Sequence, residues 1–227
     1  MSRYAKLDAA IVQNIADGWP PVSRVARAEA ERPILFNDAM VRTILAGTKT
    51  QTRRIVKPAK DRDIGCHMAP CELAGEVNGG NFRNCPFGQL GDLLWVREAH
   101  WWFKDEPDHS CGYYPPKLTA EDVEFRSDGD DGRKVWRPSI HMPRWASRIT
   151  LEITGVRVER LQDISSADAI AEGVNVHPDH RDKPSTSIYS PVQAYRDLWE
   201  SINGPGSWDA NPWVWCISFR RIDASHA

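Results

Sequence analysis

The sequence predicts an α+β fold, a mixed β-barrel with short helices on its outside. Three observations point to it: the strand patterns are short, the helical patterns between them are also short, and no regular βαβ unit recurs. The last observation disfavours a doubly wound parallel sheet. With 227 residues, 41% of them hydrophobic, the chain is long enough to bury one core.

The first elements of this fold are a strand and a capped helix. The apolar residues 34–36 predict a short strand, and Asn37 or Asp38 can cap a helix that Gly47 ends. Residues 48–56, rich in Thr and Arg, predict an extended segment. The apolar side of the helix consists of Met40, Val41, Ile44 and Leu45.

Three further strands are predicted from alternating apolar residues. They lie at 93–103, at 149–158 and at 213–222. In the second of them the apolar positions change parity after Gly155, which predicts a β-bulge there. In the last strand Trp213, Trp215, Ile217 and Phe219 are expected on one side, and Val214, Cys216 and Ser218 on the other.

Two helices are predicted between the last two strands. Ser165 and Asp168 resemble a capping box, and Gly173 ends that short helix. Residues 190–193 give a stronger start, with a Ser cap, Pro at the first helical position and Gln three residues after the cap. The glycines and proline of 203–206 end this second helix.

We divide the chain into an N-terminal appendage, 1–32, and one domain, 33–227. The appendage contains a short predicted helix at 5–17. Residues 57–90 and 104–145 have little periodicity, so both are expected to be long loop insertions in the domain.

Charge and composition exclude some classes of function. The chain has 31 acidic residues (Asp and Glu) and 29 basic residues (Lys and Arg), which gives a formal net charge of −2. This charge argues against binding of nucleic acid or anionic membranes by overall electrostatic attraction. Any nucleic-acid contact must be local.

No apolar run reaches the roughly 20 residues that span a bilayer, and the N-terminus lacks the apolar core of a signal peptide. We expect a cytoplasmic protein without a membrane partner, whose five cysteines are reduced.

The segment 47–54 holds an amine, several hydroxyls and two guanidiniums just past the end of a helix. Since side chains of a strand alternate, Lys49 and Thr52 share a site only if the chain bends between them. Glu172 lies at the negative end of its helix, a placement unfavourable by about 0.3–1 kcal/mol that Lys49 or Arg54 would relieve. The alternatives are an exposed edge strand and a solvated helix end.

Gly47-Thr-Lys-Thr-Gln-Thr-Arg-Arg54 resembles the signature G-x-K-x-x-T-x-R of the ASCH domain family, in the PUA-like superfamily. Four further elements agree in order: 91–96, 149–158, 169–173 and 213–222. The resemblance covers roughly residues 33–223. The long form, with its segment 136–148, is similar to versions common in bacteriophages and prophages, which implies the cytoplasm of a bacterial host.

The resemblance implies a PUA-like β-barrel with a cleft for RNA or a modified nucleobase. Some small members are metal-independent amidohydrolases that deacylate N4-acetylcytidine. The matching positions are Lys49, Thr52 and Glu172 as the catalytic set, with Arg54 contacting or orienting the substrate. Arg53, next to Arg54 in the sequence, is a further substrate-binding candidate. These residues mark the whole family, so they do not separate hydrolases from binding proteins. The long insertions at 57–90 and 104–145 are a difference from the compact enzymes of the family.

A second segment combines aromatic and basic side chains. We name Trp136, His141, Arg144 and Trp145 as substrate-binding candidates, since Arg beside aromatic rings suits stacking on a single-stranded base. The alternative is a segment of the barrel wall.

The cysteines of the first insertion suggest a metal site. Cys66, Cys71 and Cys85 are candidates for a structural zinc, although the second Cys of a zinc knuckle is missing beside Cys85. The alternative is free thiols, and no cofactor is required.

Three functional hypotheses follow. The first is binding of RNA or a modified nucleoside, and the second is amidohydrolysis of an acylated cytidine by the same residues. The third is a scaffold for phage assembly or host interaction. The sequence leaves the oligomeric state open.

Overall fold

The computed structural model describes residues 30–102, 118–174 and 190–222. The predicted helix at 5–17 lies outside these residues, as does nearly all of the appendage. Among the helices described, none combines the length and apolar character that crossing a membrane requires.

The described residues form an α+β fold, as the sequence predicts. The strands are β1 (Glu31–Leu35), β2 (Gln51–Ile55), β3 (Ala59–Lys60), β4 (His67–Met68), β5 (Leu93–Arg97), β6 (His100–Trp101), β7 (Glu124–Phe125), β8 (Thr150–Arg160) and β9 (Trp213–Ile222). The α-helices are α1 (Asp38–Leu45), α2 (Pro70–Asn78), α3 (Ser166–Ala171) and α4 (Pro191–Asn203).

The main sheet has five strands in the order β1-β5-β8-β9-β2. β1 pairs parallel with β5, whereas the other pairings in this sheet are antiparallel. The register shifts between Ile153 and Gly155 of β8, which confirms the predicted bulge. β3 with β4 and β6 with β7 form two small two-stranded sheets.

The sheet is open, so the closed barrel expected from the sequence is not what the described residues form. β1 and β2 are its two edges, and no ladder joins them within the described part of the chain. The start of β2 is instead covered by the end of α3: the amide of Thr50 donates to the carbonyl of Ala171 at 2.8 Å. The edges meet through one side chain, because Arg54 Nη2 donates to the Leu35 carbonyl at 2.7 Å.

The first predicted insertion is more ordered than its sequence indicates. Residues 57–90 contain β3, β4 and α2, and Leu73 and Val77 of this helix lie in the main core. Pro70 occupies the first turn, and the amide of Ala69 donates to Glu72 Oε2 at 2.9 Å. The apolar pattern is too short for periodicity to reveal this helix.

The predicted strand at 93–103 is also divided. β5 ends at Arg97, and the chain turns before β6, burying the Glu98 side chain. Glu98 binds Arg148 there, and this turn separates the two strands.

The core lies on both sides of β9. Trp215, Ile217 and Phe219 belong to the larger apolar cluster, and Val214 and Cys216 to a smaller one. The predicted alternation is therefore confirmed. The smaller cluster also contains Tyr195 and Trp199 of α4 and Trp208.

Candidate functional site

The candidate site lies where the start of β2 meets the end of α3. Gly173 ends α3 with φ of +83°, and a Cβ on it would lie 3.0 Å from Lys49 Cβ and 3.1 Å from Thr43 Oγ1. A side chain at this position would therefore clash with both neighbours. The glycine allows a β-bridge between Lys49 and Glu172, which brings the two distant motifs of the sequence together.

Lys49 and Glu172 form a buried ion pair. Lys49 Nζ lies 2.8 Å from Glu172 Oε2 and donates to the Glu172 carbonyl oxygen at 2.9 Å. The two side chains are 1% and 4% exposed. Burial lowers the pKa of Lys49, and the Glu172 carboxylate opposes that effect. The cation at the negative end of α3 is the arrangement expected from the position of Glu172.

The side chain of Arg53 is completely buried and contacts four acceptors, which come from three elements. Its Nη1 donates to Gln51 Oε1 at 2.7 Å and to Glu172 Oε1 at 3.2 Å. Its Nη2 lies 2.7 Å from Glu159 Oε1 and 3.5 Å from Asp168 Oδ2. Arg53 therefore fixes the second oxygen of Glu172 and joins β2, β8 and α3.

Arg157 extends this network on the surface side. Its Nε lies 2.8 Å from Glu159 Oε2, and its Nη2 lies 3.0 Å from Asp168 Oδ1. Burial alone would raise the pKa of Asp168, but the Ser165 hydrogen bond and the Arg157 and Arg53 charges hold it at about 2. The sequence interpretation missed Glu159 and Arg157, although their spacing on β8 places them on one face.

Thr52 is one of the polar residues of this region whose hydrogen bonding is incomplete among the described residues. Its exposed fraction is 0%, and its Oγ1 has no hydrogen-bond partner among the described residues. Thr52 pairs with Ile217 of β9, so its side chain points to the side of the larger core. The Nε of Arg53 likewise has no partner within the described part of the chain.

Arg54 points to the same side of β2 as Thr52. Its guanidinium lies 5.1 Å from the centre of the Phe36 ring, within range of a cation–π interaction. In addition to the bond to Leu35, it donates to the carbonyl of Arg53 at 3.4 Å. These contacts fix the guanidinium, which pairs with no carboxylate of residues 30–102, 118–174 or 190–222.

A cleft of about 640 Å³ opens beside these residues, within the range usual for small-molecule sites. The polar side chains in its wall include those of Thr52, Arg53, Arg54, Glu172 and Tyr195. The apolar and aromatic part of the wall includes Leu73, Phe87, Leu198, Trp199 and Trp215. Lys49 does not line the cleft, because it lies behind Glu172 and is buried.

The four candidates in the second insertion are not part of this cleft. Arg144 pairs with Glu31 at 2.8 Å, and Trp145, which is 44% exposed, packs on Trp102 with ring centres 5.4 Å apart. Trp136 lines a different cavity of about 340 Å³, and His141 lies exposed in a short 3₁₀ turn. The sequence interpretation assigned these four residues to the same substrate site as Arg53 and Arg54, but the structure places them away from the cleft.

The cysteines of the first insertion do not form a ligand set. Cys66 and Cys71 are exposed, whereas Cys85 is buried, and burial raises the pKa of its thiol. No three His, Cys, Asp or Glu residues of the described ranges are placed to hold a metal ion. His109 and Cys111 of the second insertion lie outside these ranges.

No family model, curated protein or solved structure matches this chain. Membership of the ASCH family, with the activities that the resemblance implies, stays a prediction.

Proposed function

We propose that the protein binds a nucleobase, within RNA or as a modified nucleoside, in the cleft beside Glu172. One observation carries this proposal: the Thr52 hydroxyl is buried in the cleft wall without a hydrogen-bond partner among the described residues. An unsatisfied buried hydroxyl costs about 1–3 kcal/mol. A ligand that supplies the missing hydrogen bond would recover that free energy.

The neighbouring groups match the edge of a base. Lys49 and Arg53 pair with the two oxygens of the Glu172 carboxylate, and a carboxylate paired with cations accepts hydrogen bonds. It therefore suits an exocyclic amine or a ring N–H. Thr52 both donates and accepts, so it suits either kind of neighbouring atom on the heterocycle.

The wall of the cleft also offers surfaces on which a flat ring can stack. Phe87 and Trp215 lie edge to face, with ring centres 6.3 Å apart, and both line the cleft with Trp199. Stacking of a base on an aromatic ring is worth about 1–3 kcal/mol and tolerates different bases. Stacking would thus supply affinity, and the edge contacts would supply specificity.

The resemblance to the ASCH family supports the same ligand class. Its Lys, Thr, Arg and Glu positions are those that converge here, at Lys49, Thr52, Arg54 and Glu172. A PUA-like fold is the finer structural assignment that this resemblance supports, and the Arg54 contact that draws the sheet edges together is compatible with it. The scaffold hypothesis stays a prediction of the sequence.

A second candidate function is deacylation of an N4-acylated cytidine. The specific observation in its favour is that burial lowers the pKa of Lys49, as a base requires, while the Thr52 hydroxyl has no partner among the described residues. Thr52 Oγ1 would attack the amide carbonyl while Lys49 takes its proton and passes it to the departing amine of cytidine as the C–N bond breaks. Water would then hydrolyse the acyl ester, which releases the carboxylic acid and restores Thr52. We rank it second because Lys49 does not line the cleft and already donates twice to Glu172.

Titration calorimetry with the four ribonucleosides, N4-acetylcytidine and a single-stranded hexanucleotide tests the binding proposal. We expect Thr52→Val, which keeps the shape and removes the hydroxyl, to weaken binding at least tenfold. The matched control is Thr154→Val on the exposed part of β8. No binding by any probe, or equal affinities for both variants and the parent protein, would refute the proposal.

A separate assay decides between binding and hydrolysis. The protein is incubated with N4-acetylcytidine, and release of cytidine and acetate is followed. Turnover that is lost in Lys49→Met would establish the hydrolase. Tight binding without turnover would leave the cleft as a recognition site.

A further inference from the structure

We infer that the ligand of this cleft carries phosphate, which three cationic side chains at its mouth recognise: Lys57, Lys60 and Arg62. This inference rests on the proposed function and narrows its ligand class from nucleosides to phosphorylated nucleotides. The phosphate would belong to a free nucleotide or to an RNA strand, two sources with the same local chemistry.

The charge of the cleft supports this ligand class. Lys57, Lys60 and Arg62 line it together with Arg53 and Arg54, whereas Glu172 is the acidic residue among the described residues in its wall. The carboxylate of Glu172 is already compensated by Lys49 and Arg53. A cleft with this excess of positive charge, in a chain of net charge −2, attracts an anion locally.

The three mouth cations are not committed to other partners. Within the described ranges, Lys57, Lys60 and Arg62 form no ion pair, although many other cations of the surface do. Examples of paired surface cations are Arg83 with Asp63, Arg144 with Glu31, Arg157 with Glu159 and Arg220 with Glu152. Free ammonium and guanidinium groups beside a cleft are what phosphate binding requires.

The backbone that carries these cations is fixed in place. Lys60 pairs with His67 in the small sheet of β3 and β4, and the amide of Arg62 donates to Asn84 Oδ1 at 3.0 Å. Asn84 is itself buried and donates to Asp61 Oδ2 at 3.1 Å and to Glu76 Oε2 at 3.0 Å. These bonds hold both nearby carboxylates on Asn84, and neither Asp61 nor Glu76 lines the cleft.

The base and the phosphate would occupy two neighbouring parts of the cleft, which are formed by consecutive segments of the chain. Thr52 and Arg54 on β2 lie beside the aromatic wall, and the same segment continues into Lys57 and then into β3. The base would thus lie against Thr52 and Glu172, with its phosphate near residues 57–62. Among the described residues that line the cleft, the compensated Glu172 is the carboxylate that such a phosphate would meet.

The experiment compares each ribonucleoside with its 5′-monophosphate and with a single-stranded hexanucleotide of the same base, by calorimetry at low salt. We expect a phosphorylated probe to bind at least tenfold more tightly than the nucleoside. Lys57→Gln, Lys60→Gln and Arg62→Gln should each reduce that advantage about three- to tenfold, since each variant removes one exposed charge pair, whose net contribution is small. The nucleoside affinity itself should not change.

The control is Arg133→Gln, which removes one positive charge from an exposed turn where Arg133 forms no ion pair with any described residue. Its affinities should equal those of the parent protein. A preference for the monophosphate over the hexanucleotide would identify a free nucleotide as the ligand, and the reverse preference would identify RNA.

The outcomes separate this inference from the one on which it rests. Equal affinity for nucleoside and nucleotide, or mouth variants that behave as Arg133→Gln does, would overturn the phosphate site and leave the nucleobase site standing. Absence of binding by every probe would overturn both.

Discussion

Glu172 and Glu98 are both buried carboxylates bound by arginine, but their surroundings differ. Glu98 Oε1 accepts from Arg148 Nε at 3.0 Å, and its Oε2 accepts from Ser127 Oγ at 2.6 Å. Arg148 also pairs with Asp128 at 2.7 Å and covers the Phe125 ring at 3.9 Å. Both oxygens of Glu98 are satisfied, and Glu98 lines neither the 640 Å³ cleft nor the 340 Å³ cavity.

The surroundings of Glu172 leave hydrogen-bonding capacity unused. Lys49 and Arg53 hold its two oxygens, yet Thr52 Oγ1 and Arg53 Nε have no partner among the described residues, and both residues line the cleft. Burial of a carboxylate bound by arginine therefore does not by itself mark a functional site. Unused polar atoms beside open space do, because folding normally satisfies such atoms.

The largest effect should follow from removal of the charge at the centre of the Glu172 network. Arg53→Met keeps the length of the side chain but leaves Glu172, Glu159 and Asp168 without their shared cation. We expect the free energy of unfolding to fall by about 3–5 kcal/mol, as for other broken buried ion pairs. Urea denaturation measures it.

The control for this variant is Arg220→Met, since Arg220 is 67% exposed at its side chain and pairs with Glu152 on the surface. Its effect should stay within about 0.5 kcal/mol. A loss of that small size in Arg53→Met would mean that the network does not hold the site together.

The Glu98 cluster should be important for stability and irrelevant for binding. Glu98→Gln leaves Asp128 as the carboxylate that pairs with Arg148 among the described residues, so we expect a loss of about 3 kcal/mol in the free energy of unfolding. The ligand affinity of the folded protein should be unchanged in calorimetry. An affinity lowered as much as in Thr52→Val would break the distinction between the two carboxylates.

The convergence of the site was predictable from particular residues. The unfavourable position of Glu172 at a helix end left two interpretations, a solvated end or a cation from Lys49 or Arg54, and the structure supplies Lys49. The alternation in β9 and the parity change at Gly155 gave the strand faces and the bulge, because side-chain direction in a strand follows directly from sequence.

Other features depend on contacts that sequence patterns do not encode. The open sheet depends on how α3 covers the edge of β2 through Thr50 and Ala171. Trp136 and Trp145 have the residue types of a base-binding segment, but contacts distant in the chain decide where they lie: Trp136 lines the 340 Å³ cavity, and Trp145 packs on Trp102. The same applies to Arg53, whose four acceptors come from three elements.

Thr52→Val should separate stability from binding. The hydroxyl has no partner among the described residues, so its replacement by a methyl group removes a desolvation penalty. We expect the free energy of unfolding to stay equal or to rise by about 1 kcal/mol, while nucleobase binding weakens at least tenfold. Thermal unfolding of Thr52→Val and Thr154→Val, compared with the parent protein, measures it. A loss of 2 kcal/mol or more would show that the hydroxyl makes a structural hydrogen bond.

The smallest effect concerns the acid dependence of the Arg53 network. The pKa of Asp168 is about 2 in the folded protein, whereas an unperturbed Asp has a pKa of 3.8. The unfolded chain therefore binds the proton more readily than the folded protein does. The contribution of Asp168 is therefore complete above pH 4 and is lost as the pH falls towards 2.

Asp168→Asn keeps an acceptor for the Ser165 cap and removes the charge. Because Asp168 is partly exposed, we expect it to be less stable than the parent protein by only about 1 kcal/mol at pH 5. The difference should vanish near pH 2. Asp209→Asn, at an exposed carboxylate 3.5 Å from Arg196, should show no such pH-dependent difference in urea denaturation. A difference for Asp168→Asn that persists at pH 2 would mean that hydrogen bonding, and not charge, links Asp168 to the network around Glu172.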